Sequence, residues 1–158
     1  MASTVCGFYT VDATRQYLPL VDVKVHTTIL ASTSRTKLTQ TFVNSSATKL
    51  REVRYAFPLY EGVSVVAFTC RVGNRTIVGE VKEREKAKQD FKEAVATGQR
   101  AALFEQAREV SDCFATSVGN IPAGAKVEVD ITYVGELKHD AEVDGIRFTI
   151  PAKILPRY

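Results

Sequence analysis

The sequence lacks most of the signals that announce a chemical activity or a membrane location. No glycine-rich motif of the G-x-G-x-x-G or G-x-x-x-x-G-K-S/T type is present, so no nucleotide-phosphate site is predicted. No apolar run approaches the length of a membrane span, and the first residues lack the basic and apolar regions of a signal peptide. We therefore expect no membrane contact, no small-molecule substrate and a cytoplasmic location, with secretion as the alternative if a leader peptide was removed.

Cysteine and histidine are also scarce. The three cysteines, Cys6, Cys70 and Cys113, are too far apart for a C-x-x-C or zinc spacing, and their odd number argues against a fully paired disulfide framework. The two histidines, His26 and His139, lie among polar or alternating residues and are predicted to be surface side chains. No metal, cofactor or catalytic residue is predicted. A cysteine-dependent enzyme built on Cys113 is kept as a remote alternative, because a thiol nucleophile would need a base such as histidine beside it.

The charge balance gives no sign of a nucleic-acid partner. The 158 residues carry a net charge of +3, with 21 basic and 18 acidic residues scattered along the chain. Basic residues form no run, and aromatic residues do not alternate with them. With 45% hydrophobic and 25% charged residues, the composition is that of one ordinary globular domain.

Most of the chain is predicted to be β-strand. Apolar and polar residues alternate over residues 18–30 and 36–43, which predicts a hairpin with its turn at residues 32–34. The nearly continuous apolar run at 63–72 predicts a strand buried on both faces, followed by a two-residue turn that begins at Gly73. Roughly nine such runs predict a mainly β (α+β) fold, either an antiparallel β-sandwich or a partly closed barrel.

One stretch has a helical period instead. Ala87, Phe91, Ala94 and Val95 recur on one face, and Gly98 follows at a position where glycine commonly ends a helix. This predicts one amphipathic helix over about residues 82–97, inserted between strands and anchored by Phe91. Its charged outer face is explained by solvation but is also a possible partner surface, comprising Lys86, Lys88, Lys92 and Glu93.

Several motifs occur in a characteristic order. YAFPL at residues 55–59 is followed by the GEVKEREK segment, by GNIPAG at 119–124 and by a closing PRY. In this order they resemble the VIT domain, the vault protein inter-α-trypsin domain, over about residues 5–158. The residues that carry the resemblance are Tyr55, Phe57, Pro58, Phe91, Gly98, Gly119, Asn120, Pro122, Tyr133, Pro151, Pro156, Arg157 and Tyr158.

The resemblance implies a β-rich domain without catalytic activity of its own, on the N-terminal side of a von Willebrand A-type domain. Residues 1–158 would form a single VIT-like domain with its core at about 5–151, and residues 152–158 would begin a linker to a downstream domain. The implied function is a non-catalytic scaffold or protein-interaction module that supports the adjacent A-type domain. The alternative is an autonomous protein-binding domain that acts through its sheet or helix surface.

Overall fold

The structure, a computed structural model, describes residues 6–58, 62–79, 104–106 and 113–154. These residues form eleven strands, all paired in antiparallel fashion, and one 3-10 turn. The predicted mainly β fold is therefore confirmed. The elements are β1 (Gly7–Thr10), β2 (Leu20–Leu30), β3 (Thr33–Val43), β4 (Leu50–Pro58), β5 (Val63–Val72), β6 (Arg75–Gly79), β7 (Phe104–Gln106), β8 (Cys113–Ile121), β9 (Lys126–Glu136), β10 (Lys138–Asp140), β11 (Gly145–Arg147) and the 3-10 turn Ala152–Ile154.

Part of the prediction concerns residues that the structure does not describe. The helix predicted at 82–97 lies outside the described residues, so it is not confirmed and stays a prediction. The same holds for the terminal residues of the family motif and for the proposed helical partner surface. These positions are Phe91, Gly98, Pro156, Arg157 and Tyr158, together with Lys86, Lys88, Lys92 and Glu93.

Two sheets pack face to face as a sandwich. One has five strands in the order β2-β3-β9-β5-β6, and the other has four in the order β1-β4-β8-β7. Strands β10 and β11 form a separate hairpin. Within the described ranges neither sheet closes on itself, which leaves the sandwich of the two predicted architectures.

Aromatic rings connect the two sheets across the core. Phe8 of the four-stranded sheet meets Phe42 of the five-stranded sheet with 5.1 Å between ring centroids. Tyr55 and Phe68 form a second contact of this kind at 5.6 Å. All four rings are at most 1% exposed. Edge-on and tilted ring pairs add about 0.5–1.5 kcal/mol each beyond the burial of their area, so these contacts hold the sheets in register.

The prediction that β5 is buried on both faces is wrong. Val65, Phe68 and Cys70 are buried, but Val66 is 46% exposed. A β-bulge between Val65 and Ala67 places two residues of β5 opposite one step of β9. Among the described elements only the inner face of the five-stranded sheet is covered by another sheet, so an uninterrupted apolar sequence does not mean two buried faces here.

The two predicted hairpin turns differ in outcome. The turn expected at residues 32–34 is wrong by one residue, because Thr33 already pairs with Leu30 and the loop is Ala31-Ser32. Ala31 adopts a left-handed φ of 52°. Alanine rarely adopts this conformation, so its presence in the sequence does not indicate a turn. The turn predicted at Gly73 is confirmed, with a φ of 57° at that glycine.

Two motif residues lie within strands. Pro58 is the last residue of β4 and pairs with Cys113 at the end of the ladder. Strand β8 continues to Ile121 and so includes Gly119. Glycine fits closely at position 119, because a Cβ atom there would lie 3.2 Å from the carbonyl oxygen of Arg51, which is tighter than an ordinary contact.

We expect Ala31→Gly to raise the free energy of unfolding by about 0.5–1 kcal/mol. The left-handed backbone costs an alanine residue about 1–2 kcal/mol, and the greater freedom of glycine in the unfolded chain returns part of that gain. Urea unfolding measures the change. Ala141→Gly is the control, since Ala141 is an exposed turn residue that does not have a positive φ and should lose stability. Equal shifts in both variants would contradict the strain at Ala31.

Candidate protein-interaction surfaces

A buried amide joins both sheets to the 3-10 turn. Gln40 of β3 is fully buried, and its Oε1 accepts a hydrogen bond from the Tyr55 hydroxyl at 2.8 Å. Its Nε2 donates to the carbonyl oxygen of Ile154 at 3.1 Å. Burial raises the pKa of Tyr55 well above its usual value, so this hydroxyl keeps its proton. Ile154 is itself fully buried, so the packed core extends beyond residue 151 as far as this residue.

A second buried amide joins the loop that follows β3 to the loop that follows β8. Asn44 is 1% exposed, and its Nδ2 lies 3.0 Å from the Thr48 carbonyl, 3.3 Å from that of Ile121 and 3.0 Å from that of Pro122. Its Oδ1 accepts the Ser46 amide at 3.1 Å. Asn44 begins an N-x-S sequon, but in the folded domain its amide nitrogen is enclosed by these carbonyl groups. No local sequence pattern indicates this structural role.

The described residues of the family motif occupy structural positions. Phe57 is fully buried, and its ring lies 5.4 Å from that of Tyr133. Asn120 has a left-handed φ of 58°, and its carbonyl accepts a hydrogen bond from Arg75 at 2.6 Å. Pro151 accepts the Ile154 amide at 3.3 Å and so opens the 3-10 turn. These contacts give the described motif residues packing and backbone roles in the fold.

The outer face of the five-stranded sheet carries a network of charges centred on Asp130. This carboxylate accepts hydrogen bonds from Thr39 at 2.6 Å and Arg71 at 2.9 Å, and Lys37 lies 3.2 Å away. Partial burial favours a higher pKa for Asp130, but these three donors outweigh it and hold the pKa below its usual value. Arg71 also donates to Glu128. The acids and bases of this face therefore largely satisfy one another.

The outer face of the four-stranded sheet presents exposed tyrosine and arginine side chains. Tyr9 of β1 lies directly opposite Arg54 of β4. The Arg15 guanidinium stacks over the Tyr9 ring, 4.4 Å from its centroid. The Tyr17 ring centroid lies 5.8 Å from that of Tyr9, and Tyr17 is 44% exposed. We name Tyr9, Arg15, Tyr17 and Arg54 the Tyr–Arg patch.

Local contacts hold the loop of the Tyr–Arg patch in one conformation. Arg15 has a left-handed φ of 40°, which is unfavourable for an arginine residue. The Asp12 carboxylate compensates by accepting hydrogen bonds from the Thr10 hydroxyl at 2.8 Å, the Thr14 hydroxyl at 2.9 Å and the Arg15 amide at 3.1 Å. These bonds lower the pKa of Asp12, with the Thr10 contribution largest. A strained residue that its surroundings hold in place is a feature often found at functional sites.

The residues of the enzyme alternative lie on strands of three different sheets. His26 is exposed on β2, and His139 is exposed on β10, where it lies 3.2 Å from Asp144. Cys113 begins β8, so the three residues belong to three different sheets. In the described part of the chain, no three His, Cys, Asp or Glu residues are grouped to hold a metal ion, and no helix there is long and apolar enough to cross a membrane.

Two of the three cysteines lie in the core. Cys6 is 8% exposed, and Cys70 is a fully buried free thiol. Burial raises the pKa of Cys70 to about 12, although the nearby Arg71 and Arg75 act in the opposite direction. Because the thiolate is the reactive form, Cys70 behaves as an apolar core residue.

The antiparallel β-sandwich places this protein in the class of β-rich domains, and the Tyr–Arg patch is a surface through which such a domain can bind another protein. Comparison with known families is more specific. The family model described as "Vault protein inter-alpha-trypsin domain" (VIT) matches residues 20–133. The chain belongs to the VIT family, and the resemblance found in its motifs is confirmed.

Its relatives are much longer proteins. The chain is 38% identical over 145 residues to the Homo sapiens protein mono-ADP-ribosyltransferase PARP4. The matched region covers 92% of the chain and 8% of the relative. It is 31% identical over 153 residues to the Homo sapiens von Willebrand factor A domain-containing protein 5A, covering 97% of the chain and 19% of the relative. A von Willebrand factor A domain-containing protein of Dictyostelium discoideum is 27% identical over 154 residues, which is 97% of the chain and 16% of the relative. The chain thus spans less than a fifth of each of these relatives.

We expect Tyr55→Phe to lower the free energy of unfolding by about 1–3 kcal/mol, because it removes the hydroxyl donor to the buried Gln40 and keeps the ring. Chemical denaturation measures the loss. Tyr17→Phe is the matched control, since its exposed hydroxyl should change stability by less than about 0.5 kcal/mol. A loss at Tyr55 no greater than that at Tyr17 would show that the Gln40 network does not stabilise the fold.

We expect Asp130→Asn to lower the free energy of unfolding at neutral pH by about 1–2 kcal/mol, because it removes the negative charge that binds Arg71 and Lys37. The loss is no larger because both cations are only partly shielded from solvent. The folded-state pKa of Asp130 is lowered. Its stabilising effect is therefore complete above the unfolded value of about 3.9 and is lost as pH falls through the folded value.

Urea unfolding across this range should show wild type and Asp130→Asn converging below about pH 4. Asp22→Asn is the control, because the Asp22 side chain is 51% exposed and its 3.7 Å ion pair with Lys24 should contribute little. A gap between wild type and Asp130→Asn that persists unchanged in acid would assign the loss to the shape of the side chain instead of its charge.

Proposed function

We propose that this chain is a non-catalytic protein-interaction module that packs against a von Willebrand A-type domain and orients it. The Tyr–Arg patch is the observation that carries the proposal, because tyrosine and arginine are enriched among the residues that contribute most to protein–protein binding. Two of the three relatives are von Willebrand factor A domain-containing proteins, which supports an A-type domain as the partner.

The chemistry of the Tyr–Arg patch favours an acidic partner surface. Arg15 and Arg54 offer planar guanidinium groups that can bind carboxylates through paired hydrogen bonds. The face of Tyr17 offers apolar area beside these charges. Because Arg15 is already stacked on Tyr9, ordering it on binding costs less side-chain entropy than ordering a free arginine. The proposed contact on the A-type domain is therefore an aspartate or glutamate cluster next to an apolar residue.

The anchored 3-10 turn supports an orienting role. Ile154 is buried, and its carbonyl is held by Gln40 in the middle of the core. A segment that follows this residue starts from a point that is hydrogen-bonded and packed into the core of the two sheets. Such an anchored starting point helps a module to hold a following domain in one orientation.

The other described surface is less suited to a partner. Around Asp130 each carboxylate already has a cationic donor, so a partner would have to break or desolvate these pairs. The autonomous binding domain, acting through its sheet or helix surface, remains the alternative function. A cytoplasmic location is also proposed, supported by the free thiol of Cys70, since secreted domains commonly pair their cysteines.

The test is binding to an A-type domain supplied as a separate polypeptide, for example that of the human protein 5A. Nuclear magnetic resonance of the labelled chain should show shifts centred on the Tyr–Arg patch. Tyr17→Ala and Arg15→Ala should each weaken binding by about 30-fold, the effect of losing a strong contact residue. Lys24→Ala, an exposed change on the other sheet, should leave the affinity unchanged. Shifts confined to another surface would favour the autonomous alternative, and unchanged affinity in Tyr17→Ala would exclude the patch.

A further inference from the structure

The two sheets of the sandwich have four edge strands, and one of them is much longer than the others. Strands β1, β6 and β7 span 4, 5 and 3 residues, whereas β2 spans 11. Among the described strands β2 pairs only with β3, so its second edge has no strand beside it. Natural sheets usually shorten or cover such edges, because the free amide and carbonyl groups can pair with another chain.

The apolar residues of β2 are exposed at both of its ends. Val21 is 54% exposed near the start, and Ile29 and Leu30 are 47% and 79% exposed at the end. Val23 and Val25, between them, are half-buried and lie on the core side of the strand. Isolated exposed apolar residues are ordinary, but three of them on one unpaired edge strand indicate a surface that a partner strand covers.

We propose that β2 pairs with β2 of a second copy of this chain, antiparallel about a two-fold axis at Val25. The axis joins the two five-stranded sheets into one. The paired residues then run from Val21, opposite Ile29 of the second copy, to Ile29, opposite Val21 of the second copy. Val21 lies at the β-bulge between Leu20 and Asp22, so regular pairing ends there. An exposed apolar residue at one end of β2 meets one at the other end, because the axis exchanges the two ends of the strand.

The charged residues of β2 are compatible with this register. Asp22 lies opposite Thr28 of the second copy, and Lys24 lies opposite His26 of the second copy, so neither carboxylates nor lysines face their own kind. Moving the axis to Val23 would place Asp22 opposite Lys24, but it would pair only residues 20–26 and leave Ile29 uncovered. The register centred at Val25 is favoured because it pairs residues 21–29 and places Val21 against Ile29 at both ends of the paired segment.

A second copy fits this edge better than an unrelated extended segment. Any extended chain could satisfy the backbone groups of β2, but the apolar pattern must also match at both ends. A copy of β2 supplies the same length and the matching pattern without a further assumption. This dimer is independent of the function proposed above, because β2 and the Tyr–Arg patch belong to different sheets.

The test measures the oligomeric state by analytical ultracentrifugation over a range of concentrations. Wild type should form a dimer. The double variant Val21→Lys/Ile29→Lys places like charges opposite each other and should weaken the dimer about tenfold or more. The double variant Val21→Glu/Ile29→Lys is equally polar but places opposite charges together, and it should dimerise more strongly than the Lys/Lys variant.

Val143→Lys is the control for added surface charge, because Val143 is 75% exposed and lies outside β2, and it should dimerise like wild type. Circular dichroism and urea midpoints check that each variant is folded. A folded wild type that stays monomeric at every concentration overturns the proposal, even if it captures another protein. Equal dimerisation of the two double variants also overturns it, because the register would then not bring residues 21 and 29 together.

Discussion

The arrangement of the two sheets and the 3-10 turn depends on the hydrogen bonds of the buried Gln40 side chain. Its amide sits in the core of the sandwich, where an unpaired polar group would cost about 1–3 kcal/mol. Its hydrogen bonds go to Tyr55 from the opposite sheet and to Ile154 from the 3-10 turn, and the Cys6 thiol lies against both of its polar atoms. The apolar core supplies most of the stability, but apolar packing alone allows sliding. This directional contact specifies how the two sheets and the 3-10 turn meet.

The covered inner faces leave the outer faces and one edge for recognition. On the five-stranded sheet the charges around Asp130 pair with one another, which keeps that face solvated and self-contained. On the four-stranded sheet the exposed Arg15 stacks on the half-buried Tyr9 ring. The long β2 edge offers backbone groups instead of side chains. The described part of the domain thus carries surfaces of different chemistry on separate parts of one sandwich.

Much of the fold could be predicted from local patterns. Apolar and polar residues alternate along β4 and β9, and Tyr55, Phe57 and Tyr133 are buried as this pattern requires. The glycine at Gly73 located a turn, since its preferred backbone conformation is a property of one residue. The order of the GNIPAG and neighbouring motifs identified the family. Each of these inferences depends on residues that are close together in the sequence.

The buried Gln40 contact and the Tyr–Arg patch could not be predicted in this way, because each is made by residues that are distant in sequence. Gln40 and Ile154 are 114 positions apart, and nothing near Gln40 indicates its partner. Arg54 joins the Tyr–Arg patch only through the pairing of β1 with β4. The exposed face of β5 and the free edge of β2 likewise follow from which strands lie beside and above them. Local sequence determined the strands, most of their core-facing residues and the family. Tertiary packing decided which faces were covered and which were left open, since burial depends on neighbours that only the folded chain supplies.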